Sequence, residues 1–502
     1  MNYADLFRVT LPETALEFAA LLVLVADLLF LRKAALRTRA AVASLLGVVG
    51  CLAAAWAVFA AGSVPYAYGN EILLAAGGLV TVAQTGIVVL TAVTLLLLID
   101  SAFTRHVAEF VAIVLMAAAG GLLIASARDL LVTFVGLELL SLGLYILTAF
   151  AKTSAKSAES ALKYYLFGGM SAAFLLFGFS YLYGIAGSTN FYAIYSALSQ
   201  TGTGLPPLFF VALVAIAAGL GFKVAAVPFH LWAPDAYEGA PTPSAAFIAS
   251  VSKVASFALL VGIVSVPLAP ATAAVPWLES GLAEALQSLF LNIFVSSLIF
   301  LLAFASMLVG NLAALAQHSV RRLLAYSAIA HAGYILLGIA VGTSRGSAAV
   351  LYYILTYGLT TIGAFGVVDV VERATGSDNF DAFLGLHKRN PVLAAVLMVL
   401  FLSLAGIPPL VGFWAKFNLF AAVLGASSGV IPFALVALAV ALSAVSLYYY
   451  LQVLKRAWVQ PAVHDRPIQA PPVTVAILVL IAAAVVILGC FPALLQNWIA
   501  SF

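Results

Sequence analysis

Long apolar stretches separated by short polar segments follow one another along the whole chain of 502 residues. Each stretch is long enough to cross the ~30 Å hydrocarbon core of a bilayer as a helix. A lone strand would leave its backbone groups unsatisfied in lipid, so we expect helices. The pattern predicts fourteen spans, numbered here as helices 1 to 14, at residues 13–31, 40–61, 72–98, 106–125, 129–150, 159–185, 206–230, 243–267, 287–310, 321–342, 347–371, 391–423, 431–456 and 473–498.

Prolines interrupt two of these spans. Helix 7 contains Pro228 and helix 12 contains Pro408-Pro409, and each proline removes an intrahelical hydrogen bond. At membrane depth such a break is tolerated where it is buried or lines a wet cavity. The two helices are five apart and run in opposite directions, which indicates an inverted repeat of helices 4–8 and 9–13. A weak echo of Ala218-Gly219 in Ala405-Gly406 follows the same order.

The sequence therefore predicts an all-α polytopic membrane protein with one integral membrane domain. Within it we expect four parts. Residues 1–105 carry the first three helices, 106–267 the first five-helix repeat, 287–456 the second repeat and 473–498 the last helix.

Basic residues are distributed unevenly between the loops on the two sides of the membrane. Of the 22 lysines and arginines, four lysines lie within spans, and Arg8, Arg128 and Arg345 belong to one set of loops. All the others belong to the opposite set. Because loops rich in lysine and arginine stay in the cytoplasm, both termini are predicted to face the periplasm. The alanine-rich composition favours a bacterial source, and hence the bacterial inner membrane.

Composition excludes several other classes of protein. The chain is 65% hydrophobic and 8% charged, and no basic block suggests nucleic-acid binding. Cys51 and Cys490 lie in separate apolar stretches, so they predict no disulfide framework, zinc site or iron–sulfur cluster. Gly219-Leu220-Gly221 follows no strand and is no dinucleotide fingerprint. We therefore expect no cofactor in this chain, and we interpret its start as a retained first helix.

Ionisable residues inside apolar stretches are the strongest functional signal. They are Glu138, Lys223, Lys253, Lys416 and, nearer a membrane surface, Lys163. In hydrocarbon each costs roughly 2.5–3.5 kcal/mol on insertion scales, and the default interpretation is an ion or proton path. Glu138 lies nine residues after Asp129, so ~14 Å deep at 1.5 Å per residue.

These groups suggest an order along a path. Burial disfavours the charged form of a lysine and a nearby carboxylate restores it, so Glu138 and Lys223 are predicted to load and release a proton. Lys253 and His331 are predicted to carry it across the centre, since histidine titrates closest to neutrality. Lys416 would be the terminal group toward the outer side.

Structural interpretations stand beside each of these assignments. Buried ion pairs or snorkelling side chains would explain the deep charges, and a position near the outer interface would explain Lys416. Lys163 is shallow enough to reach the cytoplasmic surface, and His331 could be a hydrogen-bonded packing residue. His230, Asp235 and Glu238 fit a capped cytoplasmic turn better than a site of proton uptake.

The segment from Phe222 to Pro243, with its run Tyr237–Pro243, closely resembles the helix-7 signature of the antiporter-like subunits of respiratory complex I. Gly136–Leu142, Ser327–Tyr334 and Gly406–Phe417 resemble further motifs of that family in the same order. The resemblance covers the whole chain, without the C-terminal lateral helix that one of these subunits carries.

The resemblance implies roles for individual residues. Glu138 and Lys223 match the glutamate and lysine of the family's proton channel, and Lys253 and Lys416 match its lysines on helices 8 and 12. Lys163 and His331 fall at positions that are often polar in the family.

The resemblance also implies a setting. Partner subunits would oxidise NADH and reduce quinone with FMN and iron–sulfur clusters, in a peripheral arm beside other membrane subunits. Two alternatives stay open: a subunit of a sodium/proton antiporter with the same fold, and a membrane scaffold without transport.

Overall fold

A computed structural model describes residues 3–63, 65–68, 71–100, 103–199, 205–264, 282–426, 429–462 and 466–502. Within these ranges thirteen helices are long and apolar enough to cross a membrane. Predicted helix 12 supplies a fourteenth span from two shorter apolar helices. The prediction of an all-α polytopic protein is confirmed.

Fourteen membrane helices follow one another along the described part of the chain. They are Leu11–Ala26 with a π-helical continuation Asp27–Leu31, Leu36–Ala61, Gly78–Leu97, Val107–Ser126, Leu130–Thr148, Ala155–Ala186, Pro207–Val224, Thr242–Ala249 with Val251–Val264, Leu282–Leu315, Val320–Ala340, Ser344–Thr375, Pro391–Ala405 with Val411–Ala426, Val430–Trp458, and Pro472–Cys490. Short helices outside the spans are Tyr3–Val9, Phe191–Ser199, Trp232–Gly239, Phe380–Phe383, Leu386–Arg389 and Ala493–Ala500.

Predicted helix 14 (473–498) ends at Cys490, and the separate short helix Ala493–Ala500 follows it. Two further predicted spans also differ from the structure. The start of predicted helix 3 is instead the strand Glu71–Leu74, paired antiparallel with Tyr66–Tyr68. Gly77 and Gly78 both have positive φ, which glycine adopts without steric cost, and they turn the chain from the hairpin into the helix. Helix 8 is interrupted at Ser250, whose hydroxyl donates to the carbonyl of Ala246. Such back-bonding by serine bends helices.

The predicted breaks in helices 7 and 12 are present and share one backbone pattern. In helix 7 the amides of Ala225 and Ala226 donate to the carbonyls of Phe222 and Gly221. In helix 12 the amides at 406 and 407 donate in the same way to the carbonyls at 403 and 402. The residue that leaves the helix, Ala225 or Gly406, is left-handed in both. Position 225 thus corresponds to 406, so the echo of Ala218-Gly219 in Ala405-Gly406 does not mark equivalent positions.

Burial divides the helices into a centre and a periphery. Helices 8, 10 and 11 are mostly enclosed by other parts of the described chain, whereas helices 1, 6, 9 and 13 keep most of their surface outward. Helix 8 packs against helices 3, 4, 7 and 11, and helix 11 packs against both halves of helix 12. The two broken helices therefore flank a buried centre.

Candidate functional site

Four of the six predicted site residues are buried in this centre. Lys223, Lys253, His331 and Lys416 are each less than a tenth exposed, and they come from helices 7, 8, 10 and 12. Glu138 on helix 5 is partly exposed. Lys163 lies outside the buried group, at the surface end of helix 6. The structure therefore brings together the buried lysines and the histidine, with Glu138 at their edge.

Lys223 contacts helix 5 through a serine. Its ammonium donates to the hydroxyl of Ser141, and this hydroxyl donates to the carbonyl of Leu137. Ser141 follows Glu138 by three residues, so the two side chains share one face of helix 5. Within the described residues no ion pair joins Lys223 to Glu138. Ser141 is thus the contact between Lys223 and the helix that carries the carboxylate.

Lys253 binds the backbone at the break of helix 7. Its ammonium donates to the carbonyl of Val224 at 3.1 Å and to that of Ala328 on helix 10 at 2.9 Å. Val224 is the last residue of helix 7, so its carbonyl lacks the partner that a continuous helix would supply. Lys253 satisfies this carbonyl and connects the break to the central helix 10.

Lys416 has the corresponding position at the break of helix 12. Its ammonium donates to the carbonyl of Ala405 at 2.9 Å and to the hydroxyl of Ser443 at 2.7 Å. It also lies 5.3 Å from the centre of the Tyr334 ring, within cation–π range. Ala405 corresponds to Val224 in the pattern of the two breaks. A lysine therefore satisfies the freed carbonyl at each break.

His331 lies on helix 10 and faces the break of helix 12. It follows Ala328, a partner of Lys253, by one helical turn, and its Nδ1 is 2.8 Å from the hydroxyl of Tyr353. Its Nε2 is buried with no hydrogen-bond partner among the described residues. The histidine lines a cavity of about 10 Å³ together with Ser403 and Gly412, on the two sides of the helix-12 break. This volume is close to the minimum that holds one water molecule.

Lys163 belongs to a cluster of ion pairs at the lysine- and arginine-rich side of the membrane, here called the basic face. It lies 2.8 Å from Glu159 and 2.9 Å from Asp235. Asp235 and Glu238 also bind Arg322 on helix 10, at 2.9 and 2.7 Å. These pairs connect the short helix Trp232–Gly239 to helices 6 and 10.

The carboxylates of this cluster are held in their charged form. Partial burial opposes ionisation of Asp235, but hydrogen bonds from Lys163 and Arg322 outweigh it and lower the pKa of Asp235. Burial likewise opposes ionisation of Glu238, whereas hydrogen bonds from Lys156 and Arg322 lower its pKa. Both groups thus act as fixed anions near neutral pH.

Several polar residues around Lys416 were missed by sequence reasoning. Asn311 on helix 9 donates to the hydroxyl of Tyr334 at 3.0 Å and accepts from the hydroxyl of Tyr449 at 3.3 Å. Because the ring of Tyr334 faces Lys416, these hydrogen bonds connect the surroundings of the lysine to helices 9, 10 and 13. Asn311 appears in the sequence as a single amide among apolar neighbours, which is the signal that could have found it, whereas the two tyrosines carry no comparable signal.

Glu13 is a buried carboxyl that sequence reasoning left aside. It lies near the start of helix 1 and is only 7% exposed. The amide of Gln84 on helix 3 contacts its Oε1 at 3.5 Å and the carbonyl of Leu122 on helix 4 at 3.3 Å. Counting residues from the start of the span places Glu13 at the surface. It is buried because helices 2 and 4 pack along helix 1.

These features define a class: a polytopic helical membrane protein whose buried lysines sit at the breaks of two oppositely running helices. A family model described as NADH:quinone oxidoreductase/Mrp antiporter, transmembrane, matches residues 127–443. NADH-quinone oxidoreductase subunit N 2 of Acidobacterium capsulatum is 46% identical, over 99% of each chain.

Solved structures agree with this match. A chain of respiratory complex I from Thermus thermophilus is 32% identical with a TM-score of 0.76, covering 97% of this chain and 98% of that one. A chain of the Mrp complex from Dietzia sp. DQ12-45-1b has a TM-score of 0.80 at 21% identity, over 99% and 96% of the two chains, and shares the fold. The chain belongs to the antiporter-like membrane subunits of NADH–quinone oxidoreductase, in the family of subunit N.

Among the described residues, no group of three or more histidine, cysteine, aspartate or glutamate side chains is arranged to hold a metal ion.

Proposed function

We propose that this chain is a proton-translocating membrane subunit of NADH–quinone oxidoreductase. It would export protons while partner subunits oxidise NADH and reduce quinone. The observation that carries the proposal is the row of buried basic side chains at two helix breaks, formed by Lys223, Lys253, His331 and Lys416. Such groups are too costly in a membrane interior to be retained without a role in transport or binding. The subunit N relatives support the same function.

The first step would take place between helices 5 and 7. A carboxylate near Lys223 favours its charged form, and apolar surroundings favour its neutral form. Glu138 lies one helical turn from Ser141, the hydrogen-bond partner of Lys223. A small movement of Glu138 toward or away from this contact would load or release the proton.

The later steps would cross the centre. Lys253 contacts the carbonyl of Ala328, and one turn further on helix 10 His331 faces the cavity at the helix-12 break. A water in that cavity would connect His331 to the second half of helix 12, which carries Lys416. Lys416 would be the last buried group of the path. Lys163 would act at the surface, through its contact with Asp235.

The redox chemistry would take place in the partners. We expect FMN, iron–sulfur clusters and NADH in a peripheral arm, quinone as the acceptor of the complex, and further membrane subunits beside this one. The complex would lie in a bacterial inner membrane with the basic face toward the cytoplasm, and both termini would then be periplasmic.

We also propose the division of the chain into functional parts. Residues 106–267 and 287–456 would form the two repeats, each with one broken helix. The helices of residues 1–105 and the last helix, predicted at 473–498, would support these repeats from outside.

The test uses the assembled complex with Lys223→Met or Glu138→Gln in this chain, reconstituted into vesicles. We expect assembly to persist and the number of protons pumped per NADH oxidised to fall. Lys152→Gln is the matched control, since Lys152 is an exposed lysine on the same side of the membrane as the ion cluster. Normal pumping in both test variants would reject the assigned path.

Two rival functions give different results. Sodium/proton exchange in vesicles that contain this chain but show no NADH oxidation would favour an antiporter, whose fold is shared by the Mrp chain. Full pumping after neutral replacement of all the buried charges would favour a scaffold.

A further inference from the structure

A groove runs between the first half of helix 12 and the end of helix 13 at the basic face. Its volume is about 640 Å³. Met398 and Leu402 form one wall, and Tyr448, Leu451 and Leu454 form the other. None of the residues of the proposed proton path lines it, so a ligand bound in this groove would be independent of the proposed function.

The groove has the depth of one membrane leaflet. It extends along helix 13 from Tyr448 to Val459, which is ~16 Å at 1.5 Å per residue. The hydrocarbon core is ~30 Å thick, so this length is about half of it. An apolar groove of that depth, open at the membrane surface, matches one lipid acyl chain.

The mouth of the groove is polar and positively charged. Lys455 and Arg456 lie there, with Gln452 and Gln460 beside them. Two contacts position the guanidinium of Arg456. It donates to the carbonyl of Gln452 at 3.2 Å, and its Nε lies 3.7 Å from the carboxylate of the highly exposed Asp381. Lys455 is exposed, and no contact of its ammonium with another described residue is seen. One cation is therefore positioned and the other is available for an anion.

Trp458 fixes the shape of the mouth. Its indole N–H donates to the carbonyl of Ala394 on helix 12 at 3.3 Å, and its ring stacks on His387 at 5.9 Å. Tryptophan is enriched at the depth of lipid headgroups because one end is apolar and the other polar. A basic pocket between helices at this depth is the arrangement that binds anionic headgroups.

We propose that this groove binds an anionic phospholipid, with the acyl chain along helix 13 and the phosphate at Lys455 and Arg456. A helix of another protein would have to bury Lys455 in the contact, and lysine is depleted at the centres of protein interfaces. The charge of the mouth and the length of the apolar wall together favour a lipid.

The experiment uses the intact complex in vesicles that contain a photoactivatable phosphatidylglycerol, with the reactive group on its acyl chain. We expect labelled peptides from residues 391–405 and 448–460, and weaker labelling by the same probe built on phosphatidylcholine. The double variant Lys455→Gln/Arg456→Gln should lower phosphatidylglycerol labelling by about tenfold. The matched control Arg105→Gln/Lys152→Gln, at exposed positions outside the groove, should leave it unchanged.

Equal labelling by the two probes would overturn the proposal, and so would labelling that survives the double variant. Absence of labelling would overturn it as well, with or without a cross-link from residue 451 to a neighbouring subunit. Competition by inorganic phosphate as strong as that by unlabelled phosphatidylglycerol would also overturn it, since it would indicate a site for free phosphate. NADH oxidation, measured in parallel, reports whether each variant complex is intact.

Discussion

The breaks of helices 7 and 12 share a backbone but differ in the side chains that surround it. Both end in a left-handed residue, and both leave the carbonyl before that residue without its helical partner. At helix 7 the lysine that binds this carbonyl comes from helix 8, as Lys253. At helix 12 it comes from the second half of the same helix, as Lys416. The same backbone requirement is thus met in two ways.

Two lysines lie at the break of helix 7, whereas one lies at the break of helix 12. Because Lys253 satisfies the carbonyl of Val224, Lys223 is left to face Ser141 and helix 5. The position that corresponds to Lys223 in helix 12 is Leu404. In the proposed path Lys416 would therefore serve both the backbone and proton transfer, whereas these tasks would be divided between two lysines at helix 7.

The largest effects are expected from removing the two carbonyl-binding lysines. Lys253→Met leaves the carbonyl of Val224 without a donor, at a cost of about 1–3 kcal/mol, whereas Ala328 lies within helix 10 and its carbonyl keeps the helical partner. Lys416→Met leaves no carbonyl without a donor, because the hydroxyl of Ser443 lies 3.3 Å from the carbonyl of Ala405 and still donates to it. We expect both variants to lose pumping by about tenfold or more. Thermal unfolding of the purified complex should show the larger loss of stability for Lys253→Met.

Arginine replacements serve as controls for this pair. Lys253→Arg and Lys416→Arg keep a positive charge and a donor, and should retain more stability than the methionine variants. If Lys253→Met and Lys416→Met lowered the unfolding midpoint equally, or if neither did, the assignment of these lysines to the freed carbonyls would be wrong.

A smaller contrast is expected between two serines. Ser141 is the hydrogen-bond partner described for Lys223, whereas Ser443 shares Lys416 with the carbonyl of Ala405. Ser141→Ala should therefore disturb its lysine more, with a cost of about 1–3 kcal/mol for the buried donor left unpaired. The expected result is a clear fall in protons pumped per NADH for Ser141→Ala and a slight fall for Ser443→Ala.

Serine-to-threonine variants at the same positions keep the hydroxyl. They test whether a change in side-chain volume alone lowers the number of protons pumped per NADH. An equal loss of pumping in Ser141→Ala and Ser443→Ala would mean that the two lysines depend on their serines to the same extent. The division of tasks at helix 7 would then be refuted.

The spans and the two breaks could be predicted because their causes are local. A run of apolar residues is sufficient to indicate a helix in lipid, and prolines at 228 and 408–409 are sufficient to indicate a break. The interruption at Ser250 has no comparable signal, because serine is common within helices and its back-bonding depends on the conformation. The strand Glu71–Leu74 was missed because its apolar residues continue the pattern of helix 3.

The site was predictable in its members but not in its contacts. Lys253 and Lys416 stand out as charges in apolar runs, yet nothing in the sequence tells which carbonyl each one binds. Lys163 shares the same signal, and the structure pairs it with Asp235 at the surface because the chain after helix 7 folds back over helix 6. Burial and pairing come from the packing of distant segments, which one sequence does not specify.

The smallest effects are expected at the left-handed residues themselves, Ala225 and Gly406. Gly406→Ala places a Cβ 3.0 Å from the Cδ of Lys416 in a conformation that L-residues disfavour by about 1–2 kcal/mol, so both stability and pumping should fall. Ala225→Gly removes that backbone cost but adds freedom to the unfolded chain, worth about 0.4–1 kcal/mol. Its unfolding midpoint should stay level or rise slightly with unchanged pumping. A fall in pumping for Ala225→Gly equal to that for Gly406→Ala would show that the backbone of the break, rather than the position of Lys416, limits transport.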